Sequence, residues 1–304
     1  MTAVTGAPVV VGVDGSRRSL DAVEAATAEA VLRHRPVHIV HAFVWPTVGT
    51  AATPGLAGPS LRAFRDQADE IVAEAARLAA KLAPDVPATT HVRNGGAGQV
   101  LRDESGHAAL LVLGDRGLGG FTELLAGSVA VQAATHAACP VLVVRGDRHS
   151  AGPVVAGVDG SAVSMRALDV AVEEAVLRGT ELVAVHGWTG NSGTELNDTL
   201  PMSYEAWSGD QEEERVLAEA LAGIAGRYPD LTVRREVIRG PARQVLVERS
   251  RTAQLVVVGD RGHGGVAGLL LGSVSQHLIH HAACPVVVAR PVRDAVRTRE
   301  GGPP

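Results

Sequence analysis

The chain has 304 residues, 46% of them hydrophobic and 20% charged, a composition typical of a globular protein large enough for two domains. A net charge of −5, with 28 basic residues spread along the chain, provides no electrostatic footprint for nucleic acid. The apolar runs are shorter than the roughly 20 residues of a membrane-spanning helix and residues 1–10 lack a signal-peptide pattern, so we expect a cytoplasmic protein without membrane partners.

Short apolar runs alternate with longer amphipathic segments along the first half. The runs rich in Val, Ile and Leu are predicted to be buried strands, at residues 8–14, 36–44, 88–94, 109–115 and 140–145. The segments with helical periodicity follow them, at residues 19–34, 60–83, 98–106 and 127–138. The first helix is predicted to bury one stripe, made of Leu20, Val23, Ala26, Ala30 and Val31. Strands without alternation, each followed by a helix, indicate a doubly wound parallel α/β sheet.

The whole pattern is repeated 145 positions further on. "VGVDGS" at 11–16 returns as "AGVDGS" at 156–161, and "HAACPV" at 136–141 returns at 281–286. Matching landmarks at one constant offset indicate a duplicated unit. We therefore predict tandem domains over residues 1–147 and 148–292, followed by a mobile tail at 293–304. Segments 45–59 and 189–203, rich in Gly, Pro and Thr, are predicted to be loops that could cover a site.

A glycine-rich turn follows the fourth predicted strand of each copy. It reads "GDRGLGGFTELLAGS" at 114–128 and "GDRGHGGVAGLLLGS" at 259–273. Glycines allow a ligand to approach backbone N–H groups, and a helix that begins at Gly-Ser attracts anions such as phosphate. For one copy alone, a tight turn with a capped helix explains the pattern equally well. The spacing matches neither a Walker A loop nor the dinucleotide fingerprint.

These motifs together resemble the ATP-binding branch of the universal stress protein family, whose signature is Gly-x2-Gly-x9-Gly-Ser/Thr after the fourth strand. The resemblance covers nearly the whole chain as two tandem domains, and it includes His41 and His186 after the second strand of each copy. It implies in each domain a five-stranded parallel sheet in the order 3-2-1-4-5, with helices on both faces. A doubly wound sheet binds its ligand where the strand order reverses.

The resemblance, carried over residue by residue, implies a site for an adenine nucleotide in each domain. Asp14 would accept a hydrogen bond from ribose or adenine, and the Ala42 backbone would meet the adenine edge. The expected residues of the first site are Gly12, Asp14, Ala42, Gly114, Arg116, Gly117, Gly127, Ser128 and Val129. The expected residues of the second are Gly157, Asp159, Gly187, Gly259, Arg261, Gly262, Gly272, Ser273 and Val274. The implied cofactor is ATP, with or without Mg²⁺.

Aspartates in both motifs leave alternatives open. Asp14 and Asp159 lie in Asp-Gly-Ser, which is also a common turn and cap. Asp115 and Asp260 follow the first glycine of the turn, where the family often has Ser or another small residue. A carboxylate there would repel a triphosphate unless it points away, pairs with the neighbouring arginine or shares a Mg²⁺ ion. We expect it to point away.

Cysteines and histidines are predicted to be structural. Cys139 and Cys284 are too few for a disulfide framework, so we expect two buried small residues. His136, His280 and His281 fall near the end of the fourth helix of each copy, where cationic side chains are favoured. No carboxylate or thiolate ligands accompany them at suitable spacing, so we expect helix caps and no metal site.

The function predicted from the sequence is that of an ATP-binding regulator in stress response or growth arrest. One alternative is an enzyme that hydrolyses ATP. Its turnover should be slow, because no general base is evident near the turn, and no catalytic residue is assigned. Another is an interaction module that has lost its nucleotide. Its basis is the last strand of each copy, at 140–145 and 285–290, whose apolar run carries no charge that would protect an open edge. In this family that strand contributes to pairing, which implies intramolecular pairing of the two domains or a homodimer.

Overall fold

The computed structural model describes residues 6–44, 57–117, 127–147, 151–189, 205–262 and 271–290. The predicted tail at 293–304 and nearly all of the predicted loops at 45–59 and 189–203 lie outside these residues. The described chain is α/β, and none of its helices combines the length and apolar character needed to cross a membrane.

The first half contains every strand and helix that its apolar pattern predicts, with ends within three residues of the expected ones. Its elements are β1 (Val9–Gly12), α1 (Arg17–Arg33), β2 (Val37–Phe43), α2 (Ala57–Leu82), β3 (Ala88–Asn94), α3 (Ala97–Ser105), β4 (Leu110–Gly114), α4 (Ser128–His136) and β5 (Val141–Val144). Helix α1 begins where the Ser16 hydroxyl accepts from the Ser19 N–H, and it ends at His34 in the left-handed region.

The second half repeats this order with one extra helix. Its elements are β6 (Val154–Gly157), α5 (Ala162–Arg178), β7 (Leu182–Trp188), α6 (Glu205–Ala220), α7 (Ile224–Arg227), β8 (Val233–Arg239), α8 (Ala242–Arg249), β9 (Leu255–Gly259), α9 (Ser273–His281) and β10 (Val286–Ala289). The counterpart of α2 is broken into α6 and α7. Gly223 stands between them at φ +82°, where the first half has Leu78, and only glycine adopts that conformation without strain.

All ten strands form one sheet in the order β3-β2-β1-β4-β5-β10-β9-β6-β7-β8. Each half is parallel and has the order that the family resemblance implies, with helices on both faces. Strands β5 and β10 are antiparallel, and Leu142 faces Val287 at the centre of their pairing. These two residues are equivalent positions of the repeat, so a pseudo-two-fold axis passes between them. The two five-stranded sheets of the prediction are therefore halves of one continuous sheet, because their edge strands satisfy each other.

Two apolar cores lie on opposite faces of the sheet. Side chains alternate along each strand, so that Val9 and Val11 pack under α1 while Val10 packs on the side of α3 and α4. Cys139 and Cys284 are buried as predicted, and burial raises the pKa of each thiol to about 12. The predicted stripe of α1 is buried at Val23, Ala26 and Ala30, whereas Leu20 is only half-buried and Val31 is 48% exposed.

A buried cluster of four charges joins α1 to α5 across the seam between the halves. Glu29 and Arg33 pair within α1, and the equivalent Glu174 and Arg178 pair within α5. Each arginine also bonds the glutamate of the other helix, so that every carboxylate accepts from both guanidinium groups. Burial and the neighbouring Glu174 carboxylate raise the pKa of Glu29 above its ordinary value.

A second polar cluster lies near the outer edge of the first half. The rings of His38 on β2 and His91 on β3 are stacked with centroids 4.3 Å apart. The Thr89 hydroxyl lies 3.2 Å from His38 Nδ1, and Glu104 of α3 lies 3.6 Å from its Nε2 and bonds Arg93 at 2.8 Å. Burial, His91 and Arg93 lower the pKa of His38 against the opposing effect of Glu104.

Candidate functional site

A cavity of about 680 Å³ lies in the second half where the strand order reverses, at the carboxyl ends of β6 and β9. The sequence-predicted residues of that half all line it, namely Gly157, Asp159, Gly187, Gly259, Arg261, Gly262, Gly272, Ser273 and Val274. Residues from the ends of β6, β7 and β9 and from the start of α9 therefore meet at one crevice. Its volume lies in the range of small-molecule sites.

The Asp159 carboxylate has a different role for each oxygen. Its Oδ1 accepts hydrogen bonds from the Ser161 N–H at 3.0 Å and the Ser161 hydroxyl at 2.6 Å, which is the Asp-Gly-Ser turn. Its Oδ2 lies against Gly262, so closely that a Cβ on this glycine would overlap the oxygen. The carboxylate is thus positioned by the turn at the end of β6 and adjoins the glycine-rich turn after β9.

The start of α9 forms the polar wall of the cavity. Gly272 is the N-cap, and within the described residues no side chain caps the first turn, which lines the cavity. The Gly272 N–H donates to the Asp260 carbonyl at 2.7 Å, which closes the glycine-rich segment against the helix. Unpaired N–H groups at a helix N-terminus and the nearby Arg261 guanidinium suit an anion.

Much of the remaining lining is apolar. It includes Val185, Leu246, Val258 and Leu271, together with Ala242 at the start of α8. The chain approaches itself closely here, because a Cβ on Gly187 would lie only 2.7 Å from the Ala242 Cα. An apolar slot beside a polar, cationic helix end is the pattern expected for a ligand with a flat ring at one end and a negative charge at the other.

The first half has the equivalent arrangement. The predicted residues lie at the ends of β1, β2 and β4 and at the start of α4, and they are Gly12, Asp14, Ala42, Gly114, Arg116, Gly117, Gly127, Ser128 and Val129. Asp14 Oδ1 accepts from the Ser16 N–H at 3.0 Å, and a Cβ on Gly117 would overlap Asp14 Oδ2. The Gly127 N–H donates to the Asp115 carbonyl at 2.7 Å. The apolar ends differ, since Ala42 and Leu113 stand where the second half has Gly187 and Val258.

A family model described as the universal stress protein family matches residues 7–145 and again residues 151–290. The chain belongs to this family. It is 36% identical to a universal stress protein of Mycolicibacterium smegmatis, with 93% of this chain and 97% of the relative covered. It is 38% identical to one from Mycobacterium tuberculosis strain H37Rv, with 93% and 96% covered.

The solved structures agree on the fold. A universal stress protein from Archaeoglobus fulgidus matches with a TM-score of 0.69 and 19% identity, covering 94% of this chain and 99% of that one. Two shorter universal stress proteins, solved in complex with cAMP and with dAMP, match 45% and 47% of this chain with TM-scores of 0.36 and 0.35.

His41 and His186, which were expected after the second strand of each universal stress protein repeat, lie inside that strand. His41 Nδ1 donates to the Val13 carbonyl at 2.7 Å, and His186 Nδ1 donates to the Val158 carbonyl at 2.6 Å. Each ring thus connects the end of one central strand to its neighbour. His186 also pairs through Nε2 with Glu213 of α6 at 2.7 Å. The repeat in the sequence did not indicate this pair, because the first half has Ala68 at the position equivalent to Glu213.

Asp115 and Asp260, the departures from the family pattern, are buried and are paired with arginines. Asp260 Oδ2 accepts from Arg290 Nη1 at 2.6 Å, and it is not among the described residues that line the cavity. Asp115 lies 3.6 Å from the Arg18 Nε and 4.0 Å from the Arg116 Nε. The Asp260 partner is therefore an arginine 30 positions further on, which adjacency in sequence did not suggest.

His136, His280 and His281 lie at the carboxyl ends of α4 and α9, where they were expected. His136 Nδ1 is 3.1 Å from the Gln132 carbonyl of its own helix, and the His281 ring lies 4.3 Å from that of His277. Over the part of the chain that the structure describes, no three His, Cys, Asp or Glu side chains converge on a position for a metal ion.

Proposed function

We propose that this universal stress protein binds ATP in each half and acts as a nucleotide-dependent regulator in stress response or growth arrest. The observation that carries the proposal is the cavity of about 680 Å³, which joins an apolar slot to a helix N-terminus and an arginine. Family membership supports it, and so does the position of the cavity at the reversal of strand order.

The chemistry of the cavity fits the three parts of a nucleotide. The slot at Val185, Leu246 and Val258 suits the adenine ring, whose polar edge would meet the backbone at Gly187. Asp159, held by Ser161, would accept from a ribose hydroxyl. The first turn of α9 and Arg261 would bind the phosphates. A Mg²⁺ ion would accompany the triphosphate and be held largely by its phosphate oxygens and water.

The first experiment measures nucleotide in the purified protein and then titrates the emptied protein with ATP, ADP and AMP by calorimetry. We expect up to two ATP per chain and a weaker interaction with AMP, which lacks the phosphates that the helix end would bind. Gly117→Val together with Gly262→Val should abolish binding, because each new side chain displaces an aspartate carboxylate. The matched control is Gly226→Val, since a Cβ on that glycine meets no neighbouring atom within 4 Å. Absence of nucleotide and of binding heat would refute the proposal.

The same titration separates regulation from catalysis. We expect phosphate release to be slow, because the described residues that line the cavity include no histidine and a single carboxylate, Asp159, which is held in the turn by Ser161. Rapid release of phosphate that disappears in the Gly117→Val and Gly262→Val double variant would replace the regulator with a hydrolase.

We also propose that the two halves pair within one chain in solution, as the antiparallel pairing of β5 with β10 suggests. Light scattering on the eluted protein should then give the mass of one chain. The mass of two chains would point to the homodimer instead, formed either by strand exchange or through another surface.

A further inference from the structure

Two arginines, one at the end of each half, cross the seam between the halves. Arg145 follows β5, and its Nη1 donates to the Leu278 carbonyl in the last turn of α9 at 2.9 Å. Arg290 follows β10, and its Nε donates to the carbonyl of Ala137, the C-cap of α4, at 3.0 Å. Each arginine therefore binds the carboxyl end of the helix whose amino end forms the candidate site of the other half.

Arg290 also bonds the glycine turn of its own half. Arg290 Nη1 donates to Asp260 Oδ2 at 2.6 Å, with side chains that are 15% and 10% exposed. Asp260 in turn accepts the Gly272 N–H on its backbone carbonyl. In the first half, Arg145 is within electrostatic reach of the buried Asp115, whose carbonyl accepts the Gly127 N–H. The Arg290 guanidinium thus contacts the base of the second site and the far end of the helix that begins at the first.

The connection is short and consists of strong bonds. Helices α4 and α9 have nine residues each, or about 13 Å of hydrogen-bonded backbone. A guanidinium at a helix C-terminus is favourable, and a charge-assisted bond inside the protein is stronger than one in water. A ligand that fixes the turn around Asp260 would therefore also fix Arg290 and the carboxyl end of α4.

We propose that Arg145 and Arg290 are positioning residues that couple the two nucleotide sites, so that occupation of one site tightens binding at the other. This inference rests on the proposed function, because it requires a ligand in each half. The first ligand would order the network that the two sites share, so the second ligand would lose less conformational entropy on binding. A role in joining the halves alone would affect stability without any response to ligand.

The test uses Gly117→Val, a chain whose first site is blocked, and follows α4 of that blocked half by hydrogen exchange. Saturation of the second site with ATP should slow exchange of the amides at 133–137 about five-fold. Adding Arg290→Met should abolish this slowing while ATP still binds within about three-fold of its former affinity. Arg251→Met is the matched control, because the Arg251 side chain is 66% exposed and pairs with the similarly exposed Glu248 three positions earlier.

Calorimetry provides the second readout. The product of the two ATP association constants of the unmodified chain should exceed the product of those of Gly117→Val and Gly262→Val by about five-fold, within the usual range of coupling. In Arg145→Met with Arg290→Met the excess should fall below two-fold. Arg290→Lys covers the case in which the methionine variant does not fold. It retains the charge beside Asp260 but loses the planar fork that reaches both partners, so it should lose the coupling as well.

The outcomes separate the two proposals. No binding heat in either Gly117→Val or the unmodified chain would refute nucleotide binding itself, and its absence in Gly117→Val alone would refute binding at the second site. Binding heat without any change in the exchange of α4 would overturn the coupling alone. Equal loss of the slowing in Arg251→Met would assign the effect to general loosening, and it would overturn the role of Arg290.

Discussion

Removal of one carboxylate from the buried cluster at the seam should destabilise the protein strongly. The change is Glu174→Ala, at a side chain that is 2% exposed and accepts from both Arg33 and Arg178. The two guanidinium groups, 15% and 12% exposed, would then share the single carboxylate of Glu29. Because these charges cannot regain full hydration, the variant retains the cost of burying them after losing the partner that offset it.

Two independent magnitudes agree on the size of the loss. Removing one partner of a buried ion pair costs about 3–5 kcal/mol. Two hydrogen bonds to charged groups, at about 1.5–3 kcal/mol each, give about 3–6 kcal/mol. We expect the free energy of unfolding to fall by about 3–5 kcal/mol. The exposed pair of Glu248 and Arg251 is the comparison, because Glu248→Ala should cost less than about 1 kcal/mol.

Urea unfolding followed by circular dichroism, with the free energy extrapolated to water, measures both variants. A third protein replaces all four charges with Leu and Met of similar length, at Glu29, Arg33, Glu174 and Arg178. It should recover most of the loss, since a well-packed apolar set can match a buried ion network. The reasoning is refuted if Glu174→Ala costs no more than Glu248→Ala, or if the four-fold apolar variant is as unstable as the single one.

Three further predictions follow from burial and charge. Cys139 and Cys284, with pKa values of about 12 in the folded chain, should react with a thiol reagent at pH 8 about a thousand-fold more slowly than in urea. Because the pKa of His38 is lowered in the folded chain, its neutral ring stabilises the protein above pH 6.5, and this stability is lost as pH falls through the folded pKa. The free energy of unfolding, measured from pH 7.5 to 5, should therefore depend less on pH in His38→Val, which has the residue of the equivalent position, Val183. Asp115→Ser should leave the affinity for ATP, measured by calorimetry, no tighter than before, because the carboxylate is buried beside arginines. Tighter binding would show that the Asp115 carboxylate repels the phosphates.

Local sequence pattern predicts much of the architecture. The predicted strand at 88–94 has the same bounds as β3, and the other predicted elements of the first half agree with the structure to within three residues, because apolar periodicity, glycines and prolines act over a few neighbours. The constant offset of the repeat indicated two equivalent halves. The family resemblance implied nine residues for each site, and in the second half all nine line one cavity.

Tertiary structure alone decided the contacts between distant segments. No local pattern pairs Arg290 with Asp260, or His186 with Glu213, because such partners are chosen by how helices and strands pack. The exposure of Val31 likewise depends on where α1 meets the sheet.

The pairing of the two halves is likewise decided by tertiary structure. The sequence by itself determined two copies of one doubly wound unit, each with an apolar last strand that has no protecting charge. Only the folded chain shows that β5 and β10 pair antiparallel, that Glu29 and Glu174 share two arginines, and that Arg145 reaches α9. The physical reason is that an edge strand has unsatisfied backbone groups but does not specify its partner, which is selected by the shape and charge of the surfaces brought together.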